Sequence, residues 1–450
     1  MSQEKKNWVA IITMCFIFAM ISFVTNMGAP FGNIWGVHYE WSQMLGNLMN
    51  FAAYLFMGIP AGKMLVKFGY KKTALIALIV GLVGLAIQYL SSIFGADIKV
   101  MEYAGQPVAL NLFIYLLGAF VCGFCVCMLN TVVNPMLNIL GGGGNKGNQF
   151  IQIGGTLNSL TGTLTPLLTG VMIGTITKDT SMSDVAPLLF IGMGVFAISF
   201  LIIAKVNIPE PQAEVKEKVG ALSALKFRHT LLGIIAIFFY VGIEIGIPSQ
   251  LNFYIADEMK MSLAGSAVVG GAFAALYWFL MMCGRFLSSF ISEKISTKTQ
   301  LIFASGVAIL LLILGIFTPE TSTMNCNGLL KAIALITPGE KGEELAALAS
   351  GQVAIPMKCI YIALCGLCTS VMWGGIFNLA VEGLGKYTAS ASGLFMTMVV
   401  GGGIMPLIQE FIAGTDNAIQ SYWLVIGMLA YILFYALIGC KNVNKDIKVD

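Results

Sequence analysis

A chain of 450 residues that is 57% hydrophobic and only 10% charged cannot hide its apolar surface within a water-soluble fold. The net charge of +3 is too slight to mark a nucleic-acid partner, and it follows from where the basic residues sit. Composition leaves an integral membrane protein with the lipid bilayer as its solvent.

A helix needs about 20 apolar residues to cross the hydrocarbon. Runs of this kind lie at 9–32, 43–66, 73–95, 108–139, 149–176, 186–206, 230–256, 263–291, 299–318, 357–382, 388–413 and 419–440, which predicts an all-α protein of twelve transmembrane helices. The first run is too long for the core of a cleaved leader and has no small-residue cleavage site, so it reads as a retained helix. With the N-terminus in the cytoplasm, 19 of the 25 lysines and arginines face inward, Lys67, Lys71 and Arg285 among them, and 6 lie in outer loops. Basic residues mark the cytoplasmic side, so both termini are expected there, in the inner membrane.

In chain order, the first helix carries Ser22, Thr25 and Asn26 on one face, and the fourth repeats Asn130, Asn134 and Asn138 at every fourth position. Cys122, Cys125 and Cys127 in that helix read as small packing residues, not metal ligands. The fifth helix shows Gln152, Thr156, Ser159 and Thr163 along one side with Asn158 adjacent, a face that cannot point at lipid. Polar residues 207–229 form a cytoplasmic linker between a bundle at 1–206 and another at 230–450. The halves echo each other: NPMLNILG (134–141) and TLTPLLTGVMIG (163–174) correspond to GIFNLAVEGLG (375–385) and GGIMPLIQEFIAG (402–414), with Pro166 and Pro406 offset by 240. Cys326 and Cys359 flank the long outer loop after the ninth helix and could meet.

The seventh helix places Tyr240, Glu244 and Pro248 on one stripe. A charge at the bilayer centre costs about 2.5–3.5 kcal/mol or more, so Glu244, the one acid near a midplane, is the candidate functional acid. No lysine or arginine is expected at its depth, and burial favours the neutral carboxyl. Glu244 is therefore expected to carry a proton in at least one facing state. The eighth helix adds Tyr277 and Trp278, and the tenth adds Ser370, Trp373, Phe377 and Asn378. Amides and rings with few charges suit a neutral polyhydroxylated ligand, since amides pair with hydroxyls and rings cover a sugar's apolar face. The candidate sugar-binding set is Asn26, Asn130, Asn134, Gln152, Asn158, Tyr240, Trp278, Trp373 and Asn378. Hydrogen bonding between helices is the competing role for each.

These residues also carry a resemblance. IPAGKMLVKFGYKKT (59–73), TVVNPMLNILG (131–141) with GTLNSL (155–160), FFYVGIEIGI (238–247), GRFLSSFI (284–291) and the stretch from Ser370 to Gln409 resemble the fucose/glucose–galactose symporter branch of the major facilitator superfamily over nearly the whole chain. The resemblance implies two pseudo-symmetric six-helix bundles that rock about a central sugar site. Of the superfamily's loop motif, Gly62, Lys67, Gly69 and Lys71 match, while Val66 stands where an Asp is usual. Where the branch's fucose symporter carries an Asp, a Glu and a Gln implicated in sugar binding or proton coupling, this chain has Asn26, Asn130 and Gly155. The proton relay does not carry over, which leaves Glu244 as the deep titratable acid. His38 falls in an outer loop and His229 at the inner mouth of the seventh helix.

The expected function is alternating-access transport of a hexose or deoxyhexose, coupled to protons, with sodium as the other coupling ion considered. An uncoupled uniporter is the alternative, and a polytopic sugar sensor the alternative of another class. No acid–base pair or nucleophile joins Glu244 to suggest an enzyme, and no cofactor or metal is expected. Lys67, Lys71 and Arg285 are expected to gate the cytoplasmic side, pairing with Glu210, Glu214, Glu217 and Glu293 in the outward-facing state. Otherwise they obey only the positive-inside rule.

Overall fold

Backbone N–H and C=O groups find no water within lipid, so each long apolar run must satisfy its own hydrogen bonds as a helix. The computed structural model describes residues 8–42, 45–173, 180–210, 220, 222–259, 266–337, 339–414, 417–444 and 447–449. The helices are α1 (Trp8–His38), α2 (Leu45–Ile93), α3 (Leu110–Leu140), α4 (Gly144–Ile173), α5 (Ala186–Lys205), α6 (Arg228–Phe253), α7 (Ser266–Ile291) and α8 (Thr297–Phe317). After them come α9 (Asn327–Ile336), α10 (Glu340–Leu348), α11 (Met357–Thr369), α12 (Met372–Val381), α13 (Thr388–Met398), α14 (Gly401–Ala413) and α15 (Ala418–Phe434).

Among the described residues, ten helices are long and apolar enough to cross a membrane. The 49-residue α2 holds two of the twelve expected spans, divided at Gly69, whose φ of 82° and ψ of 178° break the helix. The more polar α4 supplies another. The expected tenth span is α11 followed by α12, with a break at Ser370–Val371, and the eleventh is α13 followed by α14. Between the long helices lie pieces too short to leave a membrane-length signal. Strands β1 (Lys99–Tyr103) and β2 (Gln106–Ala109) form an antiparallel hairpin. Strands β3 (Thr323–Asn325) and β4 (Ala354–Pro356) pair across α9 and α10. We call the side bearing these strands the loop face, and the side bearing residues 206–210 and 222–228 the linker face.

Small residues set the closest approaches. Cys122 and Cys125 on α3 pack against Gly84 and Gly81 of α2, where an added Cβ would lie 2.7 and 2.6 Å from their sulfurs. Cys326 and Cys359 are both buried, and both are drawn as free thiols. The internal repeat is visible in the backbone. Gly143 (φ 72°) follows α3 and Gly383 (φ 70°) follows α12, 240 positions apart, each in the left-handed conformation that lets a helix end and the chain turn.

Candidate functional site

α6 runs away from the linker face and α7 returns toward it. Helical side chains lean back toward their own N-terminus, so on antiparallel neighbours they lean in opposite directions. Glu244 on α6 therefore leans toward the linker face and Arg285 on α7 leans away from it, and the two meet with Arg285 Nη2 3.0 Å from Glu244 Oε1. Only 9% of the arginine side chain and 14% of the glutamate side chain are exposed. The same Nη2 donates to the Tyr240 hydroxyl at 3.4 Å, and Nη1 donates to Ser159 Oγ at 2.8 Å and to the Gly155 carbonyl at 3.3 Å. An α7 arginine thus joins an α6 carboxylate to the polar face of α4. Arg285 packs along Gly155, where an added Cβ would sit in ordinary contact with Arg285 Cδ at 3.4 Å.

This corrects two expectations. Arg285 does not sit with Lys67 and Lys71 at a membrane edge, and Glu244 is not without a cation at its depth. Burying a lone carboxylate costs several kcal/mol, and the guanidinium compensates that cost directly. The signal was available in the sequence: two opposite charges in neighbouring apolar helices each need a partner.

The remaining candidates divide by what they bond. Asn26 donates to the Ser22 carbonyl at 2.8 Å and lies against Gly162 of α4. Asn158 donates to the Phe18 carbonyl at 2.8 Å, and Asn130 to the Tyr54 hydroxyl at 3.0 Å. These three bonds stay within the first half. Others cross between halves: the Trp373 indole donates to Asn134 Oδ1 at 2.9 Å, Asn138 Nδ2 to Asn378 Oδ1 at 2.5 Å, and Gln152 Nε2 to the Val371 carbonyl at 3.4 Å. Tyr240 is fully buried, with its ring centroid 6.1 Å from that of Trp373. Trp278 packs edge-on to Tyr277 at 5.6 Å.

At the linker face, Glu210 accepts from the backbone N–H groups of Tyr70 and Lys71 at 2.7 and 2.8 Å, and Lys71 Nζ donates to the Val206 carbonyl at 2.8 Å. Lys67 lies over the Phe68 ring at 5.1 Å. Glu293 pairs with Lys146 at 3.5 Å, with both side chains more than half exposed. Glu214 and Glu217 lie outside the described residues.

A twelve-span helical fold in two related halves, with a charged pair and polar faces where they meet, is the build of a major facilitator protein. The chain belongs to the Major Facilitator Superfamily, which it matches over residues 8–405. It is 28% identical over 453 residues to a glucose/galactose transporter of Brucella abortus, covering 98% of this chain and 96% of that protein. It is 22% identical to the L-fucose–proton symporter of Escherichia coli, covering 93% of this chain and 91% of that protein. A crystal structure of a variant of the E. coli fucose:proton symporter superposes with a TM-score of 0.72 at 17% identity, covering 96% of this chain and 98% of that one. A second structure of that symporter, in its outward conformation, has the same TM-score over 95% and 97%. At that identity the superpositions bear on the fold alone.

Proposed function

We propose that this protein is a proton-coupled monosaccharide transporter of the cytoplasmic membrane, moving a hexose or deoxyhexose by alternating access. The bundles 1–206 and 230–450 rock about a shared site, and 207–229 links them on the cytoplasmic side. The linker face is the cytoplasmic one in this reading because it carries most of the lysines and arginines. Support for a sugar substrate comes from the names of the relatives, glucose/galactose transporter and L-fucose–proton symporter, and from the amides and rings around the contact of the halves. Asn26, Asn158, Ser159 and Trp278, each partly accessible, are the sugar-binding candidates.

The observation that carries coupling is the set of oxygen acceptors around Arg285: a carboxylate and a tyrosine hydroxyl on α6 and two neutral oxygens on α4. A proton arriving on Glu244 removes half of the ion pair, and the guanidinium then keeps only its neutral partners. Donors freed in this way can meet a sugar hydroxyl, so proton and sugar arrive together. The test is Glu244→Gln, which keeps shape and hydrogen-bonding capacity but cannot titrate. In sealed vesicles this variant should lose accumulation of D-glucose or L-fucose against a gradient and retain sugar-for-sugar exchange. Full concentrative uptake would show that coupling lies elsewhere, and a wild type that equilibrates sugar without accumulating it would make the protein a uniporter.

A further inference from the structure

Four of the nine side chains that the sequence assigned to the sugar bond across the two halves, toward the linker face. Their centre is Asn138 on α3 and Asn378 on α12, 2.5 Å apart and both buried. They are separated by 240 residues, the same spacing as Gly143 and Gly383, so each is the other's equivalent in the internal repeat. A residue on a twofold axis meets its own kind. Two carboxylates or two ammonium groups would repel there, whereas an amide is both donor and acceptor and can pair with itself.

From this contact the bonds continue. Asn378 Nδ2 donates to Thr297 Oγ1 at 3.1 Å, and the Thr297 N–H donates to Asn145 Oδ1 at 3.2 Å. The chain of bonds therefore leaves the first half, passes through two helices of the second, and returns to the first. On one flank Asn148 donates to Ser292 Oγ at 3.2 Å, and on the other Trp373 donates to Asn134, with its ring beside Tyr240 of the ion-pair site. Among the described residues, the charged contact between halves at this face, Lys146–Glu293, is exposed at both ends and screened by solvent.

We infer that Asn138 and Asn378 form a neutral lock on the pseudo-twofold axis that holds the linker face shut, and that Trp373 ties the lock to the Glu244–Arg285 site. The inference rests on the alternating-access reading above, and its test does not need the sugar. Asn138→Ala, Asn378→Ala and the double variant are compared with wild type, full length in lipid nanodiscs, by backbone hydrogen exchange. Each single variant should speed exchange in segments 138–148 and 292–297 by roughly tenfold, as expected for a lost buried hydrogen bond. The double variant should add little, because both changes break one link. Residues 99–109 at the loop face serve as the control for folding: their exchange stays as in wild type if the linker face opens, and rises with the rest if the protein unfolds. Binding of D-glucose and of L-fucose is measured alongside. Unchanged exchange in both segments overturns the lock, and so does a general rise that includes residues 99–109. Lost D-glucose binding with unchanged exchange overturns it in favour of direct sugar contact. A wild type that binds neither D-glucose nor L-fucose would overturn the sugar assignment, while the exchange result still decides the lock.

Discussion

Arg285 answers to two kinds of partner, and its substitutions can separate them. Removing one member of a buried ion pair typically costs about 3–5 kcal/mol, because the other charge is left uncompensated. Arg285→Gln should therefore destabilise the detergent-solubilised protein by an amount of that order, read from thermal unfolding. Adding Glu244→Gln to the same chain removes the stranded carboxylate, so the double variant should recover most of the loss. A double variant as unstable as Arg285→Gln alone would mean that the arginine stabilises the fold through Ser159 and the Gly155 carbonyl, not through Glu244. The need for a partner was legible at Glu244 from the sequence. Its identity was legible too, in two opposite charges on neighbouring apolar helices, but basic residues near helix ends usually mark the cytoplasmic side and Arg285 reads first as one of them.

At the scale of elements, α2 is interrupted where the loop motif falls. Gly69 takes a positive φ, and the helix restarts with its first N–H groups bonded to Glu210 from the linker. A carboxylate at a helix N-terminus satisfies orphan donors and faces the positive end of the dipole. Val66 holds the position where the resembling family carries an acid, and here the linker supplies the carboxylate to this loop. Glu210→Ala should cost about 1–2 kcal/mol and release the linker, so trypsin should cut between Lys205 and Arg228 faster than in wild type. Equal cleavage rates would mean that Glu210 does not hold the segment. Apolar length announced the long helices, since nothing else buries 20 such residues in lipid. The same signal missed the strands and α9 and α10, and it could not show that the tenth and eleventh spans break, because such breaks are set by packing against neighbouring helices. Four-residue spacing exposed the amides of α3 and α4, but not that Asn134, Asn138 and Gln152 bond across to the other half.

For the whole molecule, the bonds between halves gather where α3 and α4 meet α8 and α12, so the linker face is closed. With that face in the cytoplasm, as proposed, the arrangement is closed to the cytoplasm, and the site at Glu244 and Arg285 would discharge inward once the amide lock parts. The account stands on sugar and proton moving together. Its most direct test is proton movement on adding sugar: purified wild-type protein in sealed, lightly buffered proteoliposomes, with external pH followed as D-glucose or L-fucose is added. Coupled transport predicts a transient alkalinisation of the medium that Glu244→Gln abolishes. Sugar entry with no change in external pH, or an alkalinisation that survives Glu244→Gln, would contradict it.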